Sequence, residues 1–134
     1  MAVRFSTGIR NLWAQQLEQS AGPSALLRLS SGLPPAIPED PDSGTLLVGI
    51  VLPADWLTGP SSGQVDLLGV WSGTAIAIGD IGYFRIKNAA GTVCLMQGTV
   101  DEPGLGADME IDFRGVAVGQ LVICSFFSLI APNA

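Results

Sequence analysis

The sequence predicts an all-β domain, a β-sandwich or jelly-roll-like fold, with one short helix at its N-terminus. Three observations predict it. Turn signals built on Gly, Pro, Asn and Asp recur about every eight to twelve residues along most of the chain. The runs between them are short and rich in Val, Ile, Leu and aromatic residues, and several alternate apolar with polar positions, the period of a pleated strand. Helical spacing of apolar residues occurs once, near the start.

That helix is placed over Thr7 to Gln19. Ser6 or Thr7 can cap it, Ile9, Leu12, Trp13, Gln16 and Leu17 form one apolar stripe, and Gly22-Pro23 stops it. A helix of about a dozen residues is marginal alone, so the stripe is expected to dock on the body or on a neighbouring subunit. Residues 1–22 thus read as a helical arm and 23–134 as the β domain.

The strands follow in order. Leu26 to Leu29 is short, and the Pro-rich stretch from Ser30 to Gly44 is an extended loop, because Pro removes ladder donors. Thr45 to Leu52 is a near-continuous apolar strand, and Pro53 to Gly63 is a second loop. Val65 to Val70 and Thr74 to Ile78 follow, split by Trp71-Ser-Gly73. Gly82 to Lys87 alternates, with Phe84 and Ile86 on one face and Tyr83, Arg85 and Lys87 on the other. Asn88 to Gly91 turns it into Thr92 to Val100, a hairpin. Asp108 to Phe113 alternates with its acids out and Met109, Ile111 and Phe113 in. Leu121 to Ile130 is the last strand, apolar on both faces like Thr45 to Leu52, which hints at oligomerisation.

Composition narrows the function. Of 134 residues only 13% are charged, against about 25% in an average domain, while 48% are hydrophobic and the mean hydropathy is +0.44. Twelve acids against six bases give a net charge of −6, which argues against a phosphate-gripping nucleic-acid binder. Histidine is absent, which removes Ser-His-Asp and Cys-His catalysis and His metal ligation. The chain is therefore expected not to be an enzyme, and no cofactor is assigned. Met1 to Gly8 has no apolar core and does not read as a secretory signal. The uncharged C-terminal run is broken by Gly119, Gln120, Ser125 and Ser128, so it reads as a buried strand before a membrane anchor, which wants about 20 apolar residues.

The residue groupings that could carry chemistry have plain structural readings. Asp108, Glu110 and Asp112 form a carboxylate row that could bind calcium, but it lacks a compact loop, and Arg85, Lys87 or Arg114 could pair it. No metal ligand set is assigned. Gly79-Asp-Ile-Gly82 and Gly104-Leu-Gly106 lie between strands and precede no helix, so they are not phosphate cradles. Cys94 and Cys124 read as free buried thiols, with a disulfide as the alternative in an oxidising compartment. Trp56, in the loop Pro53–Leu57, belongs to the core, to a subunit contact or to a carbohydrate platform.

The order of motifs resembles a known group. Arg10-Asn11 in the helix is followed by Ser31-Gly-Leu-Pro-Pro35 and Gly44-Thr-Leu-Leu47. Then come Gly82-Tyr-Phe-Arg-Ile86, Met96-Gln-Gly-Thr-Val100, Gly106-Ala-Asp-Met109 and the tail Ala131-Pro-Asn-Ala134. This is similar to small virion structural proteins of tailed bacteriophages and prophages, over nearly the whole chain. The resemblance implies a non-enzymatic capsid decoration, or cement, protein. Such a protein would be made in the host cytoplasm, sit on the capsid exterior as a homotrimer, and have the major capsid protein as partner, with no direct nucleic-acid or membrane contact. A neck or tail component and a carbohydrate-binding receptor module are the alternatives. The expected interface residues are Leu12, Trp13 and Leu17 of the helix, and Pro34, Pro35, Ile37 and Trp56 of the loops. Arg85 and Lys87 are added as exposed cations. Trp56→Ala and removal of residues 1–20 are expected to lower particle occupancy while the β domain stays folded.

Overall fold

The computed structural model describes residues 3–132, so Asn133 and Ala134 of the tail motif lie outside the described residues. Helix α1 (Thr7–Ala21) starts where expected. Ser6 is extended, and its Oγ accepts the Ile9 N–H at 3.3 Å. The helix runs on to Ala21 and ends because Gly22, at φ 73°, takes the left-handed turn and donates its N–H to the Glu18 carbonyl.

Nine strands are found among the described residues. They are β1 (Leu26–Ser31), β2 (Leu46–Val51), β3 (Gln64–Asp66), β4 (Trp71–Thr74), β5 (Gly79–Lys87), β6 (Cys94–Asp101), β7 (Met109–Ile111), β8 (Gly115–Val116) and β9 (Leu121–Ile130). The protein is all-β with one N-terminal helix. Its strands form one mixed sheet in the order β2-β1-β5-β6-β7-β9-β3, with β4 also on β9 and β8 on β5. Among the described residues only β6 and β7 pair in parallel. The sheet curls into a half-barrel, so one sheet wrapping round the core supplies both facing layers. At the seam the Val48–Ala75 bridge and an Ile76 N–H to Leu47 carbonyl bond of 2.8 Å bring β2 against the end of β4.

Several local expectations change: β3 ends at Asp66, of Thr74 to Ile78 only Thr74 lies in a strand, and Gly79 to Gly82 opens β5 instead of lying between strands. Trp71-Ser-Gly73 is not a break but strand β4, in register with Val122 to Cys124 of β9. Gly73 permits it, because a Cβ there would stand 2.8 Å from Ile50 Cγ1 at the seam. Conversely, β7 stops at Ile111. Asp112 Oδ1 accepts the N–H groups of Phe113 and Ile123, the chain bends, and Phe113 turns out to solvent instead of in.

The core fills the curl with Leu27, Leu29, Leu47, Ile50, Ile86 and Met109. Full burial of each such side chain stabilises by about 1.5–3 kcal/mol. A line of aromatic rings runs through it, with centroids at 5.8 Å for Trp56–Trp71, 5.6 Å for Trp71–Phe127 and 5.8 Å for Phe127–Phe84.

Candidate functional site

The helix is mounted inside out. Arg10, Ala14 and Ala21 are its buried residues; Ala14 and Ala21 join the hydrophobic core, and polar contacts fasten the helix around them. Arg10 Nη2 donates to the Ala131 carbonyl at 3.1 Å, and Asn11 Oδ1 accepts the Gly63 N–H at 2.7 Å. Glu18 Oε2 accepts the N–H groups of Trp56 and Leu57 at 2.6 and 2.8 Å. Gly63 must be glycine here. It has φ 74°, and a Cβ would lie 2.7 Å from the Arg10 guanidinium carbon. The apolar stripe therefore points away. Ile9, Leu12 and Trp13 are 43%, 53% and 42% exposed, and Phe5 lies against Trp13 with ring centroids 4.6 Å apart. Leu17, at the edge of the stripe, is half-buried against the core.

The Pro-rich loop is a roof over the outer face of β5. Tyr83 Oη donates to the Ser43 carbonyl at 2.6 Å and accepts its N–H at 3.1 Å. Gly82 lets the loop lie flat, since a Cβ there would meet the Gly32 carbonyl oxygen at 2.0 Å. Beneath the roof, Arg85 donates to the Asp40 and Ile37 carbonyls, to Asp42 Oδ1 at 2.9 Å and to Gln97 Oε1. Gln97 in turn donates to the Pro35 carbonyl at 2.6 Å. Lys87 reaches the other Asp42 oxygen at 2.9 Å. Burial pushes the Asp42 carboxyl up, but hydrogen bonds and attraction from Lys87, then from Arg85, outweigh it and hold the group below its ordinary value.

Several expected interface residues are thereby corrected. Arg85 is 2% exposed and serves as the internal peg of the loop. Lys87 is half-buried and already paired, so neither is a free cation. Trp56 is 0% exposed because its ring stacks edge-on against Trp71 and its backbone is held by Glu18. It is a core residue and no glycan platform. Pro34 and Pro35 are half-buried in the roof, and Ile37 is 50% exposed on it. Leu12 and Trp13 of α1 and Ile37 of the roof thus present apolar surface to solvent, on two separate elements.

A further apolar surface was not among the expected residues. On the outer face of β9, Leu121, Ile123, Phe126 and Ile130 are exposed, and Phe113 is 61% exposed beyond the end of β7. The lack of alternation in Leu121–Ile130 is the signal that marks it. The acids of the carboxylate row take separate local jobs. Asp108 accepts from Thr99, Asp112 caps the bend, and Arg114 donates instead to the Ile81 carbonyl. Among the described residues no group of three Asp, Glu, Cys or His side chains is placed to hold a metal ion. Cys94 and Cys124 are both free thiols. Burial raises both, pushing Cys124 up to about 12. No described helix is long and apolar enough to cross a membrane.

Comparison of the chain with protein-family models, with curated proteins and with solved structures finds no match.

Proposed function

We propose that this chain is a non-enzymatic structural protein of a tailed-bacteriophage particle, a decoration protein that docks on the outside of the capsid shell as a homotrimer. The observation that carries the reading is the inverted helix. A helix clasped to its own domain by Arg10, Asn11 and Glu18, with Ile9, Leu12 and Trp13 left in solvent, is built to be covered by a neighbour. The outer face of β9 adds a second apolar surface, as a subunit with two kinds of neighbour needs. Many modest contacts repeated over a shell sum to firm retention. The motif order from Ser31 to Met109 supports the same assignment through its resemblance to phage virion proteins.

The test is the copy number in purified virions, measured by quantitative mass spectrometry against the major capsid protein. A ratio of roughly one, or roughly one third, supports decoration, because shell symmetry fixes simple fractions. A few copies per particle would assign the chain to the neck or tail instead. Absence from particles would overturn the structural reading.

A further inference from the structure

An apolar helix stripe needs another element to cover it, and so does an apolar sheet face. This chain leaves one of each bare among its described residues. Ile9, Leu12 and Trp13 stand in solvent on α1, and Leu121, Ile123, Phe126 and Ile130 on β9. The two cannot meet within one chain. Ala14 and Ala21 hold α1 against the core, whereas the bare side chains of β9 lie on the face turned from the core, opposite Val122, Cys124 and Phe127.

Charge gives the two surfaces opposite signs. Residues directly opposite in a sheet share a face, so Glu110 of β7, in register with Phe126, and Asp66 of β3, in register with Ser128, flank the β9 row on its two sides. Neither acid forms an ion pair among the described residues, and no Lys or Arg stands in register with β9. The stripe is the reverse. Arg4 is exposed just ahead of α1 with no ion-pair partner among the described residues, and the first turn of the helix carries no acid to offset its dipole. Face on face would set acid against acid, and stripe on stripe Arg4 against Arg4. Stripe on face brings opposite signs together. Size agrees: at about 200 Å² for a fully exposed large side chain, the two surfaces together bare roughly 700 Å², near the 800 Å² or so that one partner brings to a standard interface.

We propose that the α1 stripe of one copy docks on the outer face of β9 of the next, head to tail, with its Arg4 end toward Glu110 and Asp66. The exposed ion pairs add little affinity but fix which way round the copies meet. Such a contact uses different patches on its two partners, so it repeats from copy to copy and closes into a ring at three. The inference rests on the homotrimer reading and names the surfaces that join. Leu33 and Ile37 of the roof then stay free for the shell.

Two double variants of the full-length protein test it. Leu12→Ser with Trp13→Ser spoils the stripe, and Ile123→Ser with Phe126→Ser spoils the face; all four side chains are exposed, so both variants keep the fold. The native chain should sediment as a trimer and each variant alone as a monomer. An equimolar mixture should recover a dimer, because it still holds one intact stripe and one intact face. In that mixture NMR should show shifts at α1 amides when the face variant is isotope-labelled, and at β9 amides when the stripe variant is. As the labelled native protein is diluted from trimer to monomer, α1 and β9 amides should shift together, a reading that needs no variant. The proposal is overturned if the native chain stays monomeric up to about 1 mM. It is also overturned if either variant alone still forms the native oligomer, if mixing leaves both labelled spectra unchanged, or if the shifts on dilution are confined to one of the two elements. Copy number in virions is a separate matter. A monomeric chain found at one copy per capsid protein would sink the head-to-tail contact and leave decoration standing.

Discussion

Arg85 shows how one residue can decide the fate of a loop. Its guanidinium joins Asp40, Ile37 and Asp42 of the roof to Gln97 of β6, so the Pro-rich segment is held from below. Arg85→Met should cost about 2–3 kcal/mol in urea unfolding, because Asp42, Gln97 and two carbonyls lose their donor together. Asp42 adds a pH signature. Its carboxyl is held below the ordinary value of 3.8 in the folded state, so its contribution is complete above that value. It is lost as pH falls through the lower folded value. Asp42→Asn should therefore flatten the acid limb of stability against pH, and an unchanged limb would refute the assignment. The thiols give a second residue-level prediction. Cys124 is buried and pushed up to about 12, and Cys94 is raised while only half-buried. At pH 8 iodoacetamide should alkylate Cys94 slowly, and Cys124 only once denaturant opens the fold, as read by mass-resolved peptides.

At the scale of elements, the helix separates what sequence pattern reports from what it hides. Its position, Ser6 cap and Gly22 stop were legible, because capping is local chemistry. The direction of its stripe was not. An apolar stripe marks a face that wants covering, without saying by what, and here the inward side is built from Arg10, Asn11 and Glu18 with Ala14 and Ala21 between them. The same blindness misplaced Arg85, since alternation in β5 put it on an outer face without revealing the roof. It also leaves Trp56 open between core and surface, whereas the ring packs on Trp71 inside the core. Two variants divide the helix accordingly. Glu18→Ala strips the acceptor from two backbone N–H groups and should cost about 1–3 kcal/mol. Trp13→Ser removes exposed surface and should leave stability within about 0.5 kcal/mol of native. The reverse order in urea titrations would mean that the helix docks by its stripe after all. For the same reason, removing residues 1–20 would unpin Trp56 and Leu57, so point variants are the sound probe of occupancy.

For the whole molecule, the balance between charge and exposed apolar surface sets how copies meet. Each chain carries a net charge of −6, which repels its like, yet exposes Leu12, Trp13, Ile123 and Phe126, which attract. The two terms respond oppositely to salt. Repulsion between exposed charges is screened over about 8 Å at physiological ionic strength and more steeply above it, whereas contact between apolar surfaces survives. If the proposed trimer is held by the helix stripe or the outer face of β9, its association constant should rise with sodium chloride in sedimentation equilibrium. Leu12→Ser with Trp13→Ser, or Ile123→Ser with Phe126→Ser, should then shift the population toward monomer, and at concentrations where both proteins are monomeric the unfolding midpoint should stay the same, since these side chains contribute little to the core. Were association instead to weaken as salt rises, ion pairs between copies would be holding the oligomer. The few cations able to form them, Arg4 and Arg28 foremost, would then replace the apolar faces as the residues to change.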